Sequence, residues 1–165
     1  MRPLVNDPYR PLKNAFACFS TGVTVVSCRP AEGPAQGITV NSFSSVSLEP
    51  ALVSWCLADE TSIADAFLSV DHYAVSILAS EQQHLSDRFA TPGQHAFQDG
   101  EGEAFRTGAP LLAGRLAGFD CRVAERFKVG DHTILIGEIV HFDSRPGEPL
   151  IYAGRQYVTG PAITD

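Results

Sequence analysis

The run Thr39-Val40-Asn41-Ser42-Phe43-Ser44-Ser45-Val46-Ser47 carries six hydroxyl or amide side chains in nine positions, between two apolar stretches. Hydroxyls and backbone N–H groups at a strand end can hold a phosphate or a polar ring edge without any basic residue. The same residues would also line a solvated strand and turn. Thr61 and Ser62 add two hydroxyls where a helix is expected to begin. Helix N-termini attract anions, although capping alone accounts for both residues. Gly130-Asp131-His132 is a compact turn that projects a histidine at its edge. Such a histidine is either a solvated turn residue or, beside a redox group, one that hydrogen-bonds a reactant or supplies a proton.

Other chemistries lack their signatures. There is no G-x-G-x-x-G, no G-x-S-x-G and no P-loop. Cys18, Cys28, Cys56 and Cys121 are scattered without a C-x-x-C, and the five histidines lack zinc-type spacing, so no metal site is expected. The cysteines read as reduced, mostly buried thiols of a cytoplasmic protein. Twelve Lys and Arg stand against 19 Asp and Glu, a net charge of −7, and no basic block offers a nucleic-acid footprint. No apolar run approaches the roughly 20 residues needed to span a bilayer. Met1 to Asp7 has no apolar h-region of a secretory signal. The 165 residues suit one domain, residues 1–165. A chain this long buries about 70% of its unfolded surface, so no disulfide or metal staple is needed.

The elements that must position these residues follow from periodicity. Asp7-Pro8 is expected to open a helix carried by Leu12, Ala15, Phe16 and Phe19 and stopped at Gly22. Strands are expected at Val23–Ser27, Gly37–Phe43, Leu52–Leu57 and Tyr73–Leu78. Short helices are expected at Thr61–Val70, with Ser62 and Asp65 spaced as a capping box, and at Glu81–Ala90, with Ser80 and Gln83 likewise. Residues 91–110 show no periodicity and read as a lid, a partner-contact segment or a mobile loop. Leu116–Phe127 and Thr133–Phe142 alternate about the Val129–His132 turn and form a hairpin. Leu150–Tyr157 is a last strand. Strands outnumber helices without regular β–α alternation, which points to a mainly β, antiparallel barrel with a few short flanking helices.

Four blocks, in order, resemble the short flavin reductases of the FMN-binding split-barrel type, the small components of two-component flavin-dependent monooxygenases. They are Phe16–Val26, Gly37–Phe43 running into Ser45–Pro50, Gly130-Asp131-His132 with Gly137 beyond, and Pro149–Tyr152. The match spans roughly residues 10 to 158. Two departures stand out: Pro50-Ala51 where the family often has two prolines, and Lys13 where it often has arginine.

The resemblance implies a Greek-key-like split β-barrel working as a homodimer, with FMN or FAD near the subunit interface and NADH or NADPH as hydride donor. The matching flavin contacts are Thr39, Val40, Asn41, Ser42, Ser45 and Ser47. Cys56, Leu57 and Ala58 would lie along the ring, Thr61 and Ser62 near the phosphate, and Phe89 would help enclose the cofactor. His132 would position the nicotinamide, with Arg155 a further contact for either nicotinamide nucleotide. Hydride passes from nicotinamide C4 to flavin N5, so the protein must chiefly stack two rings with reacting atoms about 3 to 3.5 Å apart. That is why no nucleophile or carboxylate pair stands out. The implied product, reduced flavin, goes to a separate monooxygenase. Two alternatives remain open: a barrel that retains FMN as an electron carrier or oxidase, and a catalytically silent flavin- or ligand-binding module.

Overall fold

The computed structural model describes residues 7–164. Met1–Asn6, most of the stretch read as lacking a secretory h-region, and Asp165 lie outside the described residues. The elements run α1 (Arg10–Phe16), β1 (Thr21–Gly22), β2 (Thr24–Cys28), β3 (Gln36–Val40), β4 (Ser44–Leu48), β5 (Ala51–Ala58), α2 (Ala64–Leu68) and β6 (His72–Ile77). A 3₁₀ turn at Ser80–Gln82 leads into α3 (Gln83–Phe89). Then come β7 (Gly102–Ala104), β8 (Pro110–Leu112), β9 (Ala117–Val129), β10 (His132–Ser144), β11 (Leu150–Ala153) and β12 (Gln156–Thr159).

Seven strands form one antiparallel sheet in the order β3-β2-β6-β9-β10-β5-β4. Laid flat, it would hold its edge strands roughly 29 Å apart, at about 4.8 Å per strand. Only Asn41, Ser42 and Phe43 join β3 to β4, a link that reaches about 14 Å at full extension. The sheet must therefore curl until its edges nearly meet. They are not paired with each other, so the expected antiparallel barrel is present and is split along this seam. The barrel interior holds Trp55, Phe67, Tyr73, Leu135 and Val26. Trp55 meets Phe67 and Tyr73 edge-on, at 5.1 and 5.8 Å between ring centroids. Because β2 is buried along its whole length, its other face needs a second layer. Val23, Val25, Leu78, Phe89, Leu112 and Leu150 supply it.

Several boundaries differ from expectation for identifiable reasons. Asp7 accepts the Tyr9 N–H at 3.0 Å and organises a turn, so α1 starts at Arg10 rather than at Pro8. No residue of α1 is buried; Leu12, Phe16 and Phe19 are all exposed. The Ser62–Asp65 capping box does not form, and α2 shrinks to five residues. At the next helix the Gln82 side chain, rather than Gln83, reaches back to accept the Ala79 N–H at 3.1 Å. The expected last strand is a hairpin, β11–β12, because Gly154 and Arg155 both take positive φ, 56° and 66°.

Residues 91–110, which lack periodicity, are anchored at several points. His95 is buried with its ring nitrogen Nδ1 3.0 Å from the Gly37 carbonyl oxygen, and the Gly37 N–H donates to the His95 carbonyl at 2.8 Å. The segment thus runs along the outer edge of β3. The Arg88 guanidinium pairs with Glu101 at 2.6 Å, and buried Asp120 accepts the Arg106 and Thr107 N–H groups at 2.8 and 3.0 Å.

Candidate functional site

The seam is where the barrel leaves backbone groups to be satisfied by something other than a strand. β4 pairs with β5 only from Ser44↔Ser54 to Leu48↔Ala51. Beyond Ser54 no strand among the described residues lies beside the β5 edge. Ser42 fills the first gap: its Oγ accepts the Cys56 N–H at 3.0 Å and lies 3.4 Å from the Cys56 carbonyl oxygen. By strand alternation the Ala58 N–H points the same way as that of Cys56. Side chains of Ser54, Cys56 and Ala58 form a half-buried face, whereas Val53, Trp55 and Leu57 point into the core.

Across the ladder, Ala58 is the register partner of His132 and Cys56 that of Ile134. The Gly-Asp-His turn is fastened here. The Asp59 N–H donates to the Asp131 carbonyl at 3.0 Å, and Lys128 bridges the Asp59 carboxylate and the Gly130 carbonyl. Gly130 takes φ +60°, the left-handed conformation that this two-residue turn requires. His132 is half-buried, with Nδ1 2.7 Å from Asp131 Oδ1. That contact holds the Asp131 carboxyl below its ordinary value, through the hydrogen bond first and the imidazolium charge second. An ionised carboxylate can only accept, so this contact calls for the proton on Nδ1.

Two adjoining cavities open on the other side of Ser42, sharing Asn41 and Tyr152. The first, about 230 Å³, lies between the end of β3 (Thr39, Val40) and the β11–β12 hairpin (Tyr152, Tyr157), with Val23 at its wall. Ser86 ties its two sides together: Thr39 Oγ1 donates to the Ser86 carbonyl at 2.7 Å, and Ser86 Oγ meets the Tyr157 hydroxyl at 2.7 Å. Burial pushes the Tyr157 phenol pKa up, and the Ser86 hydrogen bond opposes that shift. The second cavity, about 250 Å³, is walled by Phe16 and Phe19 beside α1, with Lys13 and Arg155 as its charged groups. The hairpin turn is docked there by the Gly154 N–H, which donates to the Ala17 carbonyl at 2.8 Å.

The sequence-predicted residues therefore divide. Thr39, Val40 and Asn41 line the first cavity, and Arg155 lines the second. Ser42, Cys56, Ala58 and His132 sit along the seam, and Thr61 closes its end by donating its N–H to the Ala58 carbonyl at 3.3 Å. Ser62 is exposed and caps nothing. Ser45 and Ser47 lie on the edge strand β4, the first exposed and the second half-buried. Leu57 and Phe89 are core residues, 1% and 0% exposed, so their side chains present no surface to a ligand. Phe89 packs on Phe97 at 5.1 Å under the Arg88 guanidinium. Sequence reasoning missed Tyr152 and Tyr157, whose signal is an aromatic pair astride a turn, and Phe16 and Phe19, read there only as carriers of the helical spacing.

A family model, the flavin reductase like domain, matches residues 16–161. The chain belongs to the flavin reductase family. An FMN reductase (NADH), SmoA of Agrobacterium fabrum, is 45% identical over 145 residues, covering 88% of this chain and 82% of that protein. Among solved structures, BorF, the flavin reductase component of a bacterial two-component tryptophan halogenase, aligns at a TM-score of 0.85 and 33% identity, covering 92% of this chain and 98% of that one. The Streptomyces globisporus NADH:FAD oxidoreductase SgcE6, in complex with NAD and FAD fragments, aligns at 0.83 and 32% identity over 92% of this chain and 93% of that one. Against two longer relatives, from Rhizobium meliloti and Acinetobacter baylyi, the chain spans 50% and 51% of their length.

The residues of this flavin reductase domain fit a flavin. A ring with a polar edge needs a backbone donor in line with an apolar wall; Ser42 already takes the Cys56 N–H, and the Ala58 N–H, next to Cys56 and Ile134 on the ladder, is the donor that remains.

Proposed function

We propose that this domain is an NAD(P)H:flavin oxidoreductase whose ring-binding strip is the seam from Asn41 to His132, and that it hands reduced FMN or FAD to a separate monooxygenase. The observation that carries the placement is Ser42 taking up the Cys56 N–H while the Ala58 edge, beside His132, has no strand among the described residues against it.

The flavin, when bound, supplies the ring that accepts a hydride from the nicotinamide. The chain's own residues bind, orient and shield. The Ala58 N–H of β5 favours negative charge on the ring edge nearest it. Ser42 holds the strand in place through the Cys56 N–H. His132, with Nδ1 held by Asp131, offers Nε2 to the carboxamide side of the nicotinamide and so positions it. Tyr152 and Val23 exclude water from one side. NADH is the donor named for SmoA, and both FMN and FAD are named among the relatives. Purified protein with either flavin should consume NADH, read as falling absorbance at 340 nm.

The same reading includes a homodimer in the cytoplasm. In its support, the edge strand β4 exposes Val46 and Leu48, the latter 94% accessible, beside Phe142 at 65%. An apolar groove of about 500 Å³ runs between Leu48, Phe119, Ile139 and Phe142. Surfaces of this kind mark protein interfaces. The four cysteines are free, as a reducing compartment requires. Among the described residues no helix is long and apolar enough to cross a membrane.

A further inference from the structure

Residues 95–101 grip one point of the strand that leads to the ring site. β3 ends its sheet, with β2 on its inner side. Its outer edge is covered by a short antiparallel stretch: Gln36 bridges Ala96, and the Phe97 N–H donates to the Ala35 carbonyl at 2.9 Å. At Gly37 a single residue takes both backbone groups. The Gly37 N–H donates to the His95 carbonyl at 2.8 Å, and His95 Nδ1 lies 3.0 Å from the Gly37 carbonyl oxygen. A carbonyl oxygen only accepts, so Nδ1 carries the proton. Backbone alone covers the edge at Ala35, whereas at Gly37 the chain adds a buried imidazole.

The same glycine is clamped from its α-carbon side. A Cβ at Gly37 would stand 2.9 Å from ring atoms of both Phe89 and Phe97, whose centroids are 5.1 Å apart. Arg88 closes over this contact, lying 4.2 Å from the Phe89 centroid and pairing with Glu101 at 2.6 Å. Glu101 also accepts the Gln98 N–H at 3.0 Å. Thr39 follows two residues later, its backbone facing the same edge by alternation and its hydroxyl donating to Ser86 of α3. Thr39, Val40 and Asn41 then line the cavity beside the proposed ring site. His132 stands on β10, four strands away in the sheet.

We propose that His95 is a positioning residue for the flavin. Its imidazole, through the Gly37 carbonyl, sets where residues 39–41 stand, and so governs affinity for flavin without governing that for the nicotinamide nucleotide. The inference rests on the flavin reductase reading, which puts the ring beside those three residues.

The variants are His95→Leu, which keeps bulk and loses the donor, and His95→Asn, which offers an amide N–H at the Nδ1 position. FMN affinity is read by fluorescence quenching, well below the Tm of each variant. His95→Leu should weaken FMN binding about fivefold, the scale of one lost hydrogen bond, and leave the KM for NADH at saturating FMN within about twofold. His95→Asn should recover most of the lost affinity. Amide exchange, read by mass spectrometry, should rise over residues 36–43 in His95→Leu and stay unchanged in the β9–β10 hairpin. If His95→Leu does not fold, Glu101→Ala frees the same segment from its Arg88 end and should give the same split, with FMN weakened at least about twofold. Wild-type FMN affinity in His95→Leu overturns the inference and leaves the reductase reading standing. So does a KM for NADH that rises in step with the FMN dissociation constant, exchange that rises in the hairpin too, or a loss that His95→Asn does not recover. Wild type that binds FMN and shows the His95 effect but oxidises no NADH overturns the reductase reading alone. Wild type that binds no FMN overturns both.

Discussion

Replacing Ser42 by alanine tests whether the seam is held as described. Ser42 Oγ is the acceptor for the Cys56 N–H at 3.0 Å, at a point where no strand among the described residues lies beside the β5 edge. Its contact with the Cys56 carbonyl, at 3.4 Å, is stretched and contributes little. Alanine would leave one half-buried donor without a partner, at a cost of about 1 to 2 kcal/mol. In a chain of 165 residues that lowers Tm by roughly 2 to 6 °C. The loosened Asn41–Phe43 link should also weaken FMN binding about fivefold or more. Ser42→Thr keeps the hydroxyl and should restore most of both. Thr39→Val is the internal comparison. Thr39 donates to a Ser86 carbonyl that already accepts the Ala90 N–H at 3.1 Å, so losing it should cost only about 0.5 to 1 kcal/mol. Scanning calorimetry and flavin fluorescence quenching read the two effects. Ser42→Ala with wild-type Tm and wild-type FMN affinity would refute the reasoning.

Four further outcomes follow from the same geometry. Gly137→Ala places a methyl group on the Tyr73 ring and hydroxyl inside the barrel and should cost about 3 kcal/mol, whereas Gly130→Ala, with open space around it, should cost about 1; urea titrations compare them. Burial pushes the Cys28 and Cys121 thiols up to about 12 from 9.0, so the folded state disfavours their ionisation. Stability from these groups is then complete below pH 9 and falls as pH rises from 9 towards 12, by up to about 1.4 kcal/mol per pH unit for each thiol; a Tm constant from pH 8.5 to 11 contradicts this. Leu48→Asp with Phe142→Asp should turn a dimer into a monomer by light scattering, and an unchanged mass would exclude this face as the interface. His132→Ala should raise the KM for NADH more than it changes flavin affinity, and an unchanged KM removes His132 from nicotinamide positioning.

Much of the barrel was legible in the sequence because its signals are local. The β9–β10 hairpin shows in strict alternation about a Gly-Asp turn, and β2, β5 and β6 in runs of β-branched and apolar residues. The misreadings arise where tertiary contacts decide. Residues 91–110 carry no period, yet His95, Glu101 and Asp120 each bind partners distant in sequence. The β11–β12 turn was hidden because its second left-handed residue is an arginine. In α1, helical spacing of apolar residues implies burial, but that face is open in the protein. At the site, the type of residue was readable and its direction was not. Leu57 alternates into the core while Cys56 and Ala58 face outward, a distinction that needs the register with β10. Phe89 was placed near the ligand by resemblance, and its side chain lies in the second core.

The most direct test of the account is NADH consumption at 340 nm with added FMN and then FAD, under air, followed by gel filtration of the flavin-loaded protein. The account predicts turnover that saturates in both NADH and flavin, with reduced flavin released to solution. Flavin binding without NADH oxidation would contradict it and favour a barrel that retains its flavin; no change in flavin fluorescence on titration would contradict the flavin site itself.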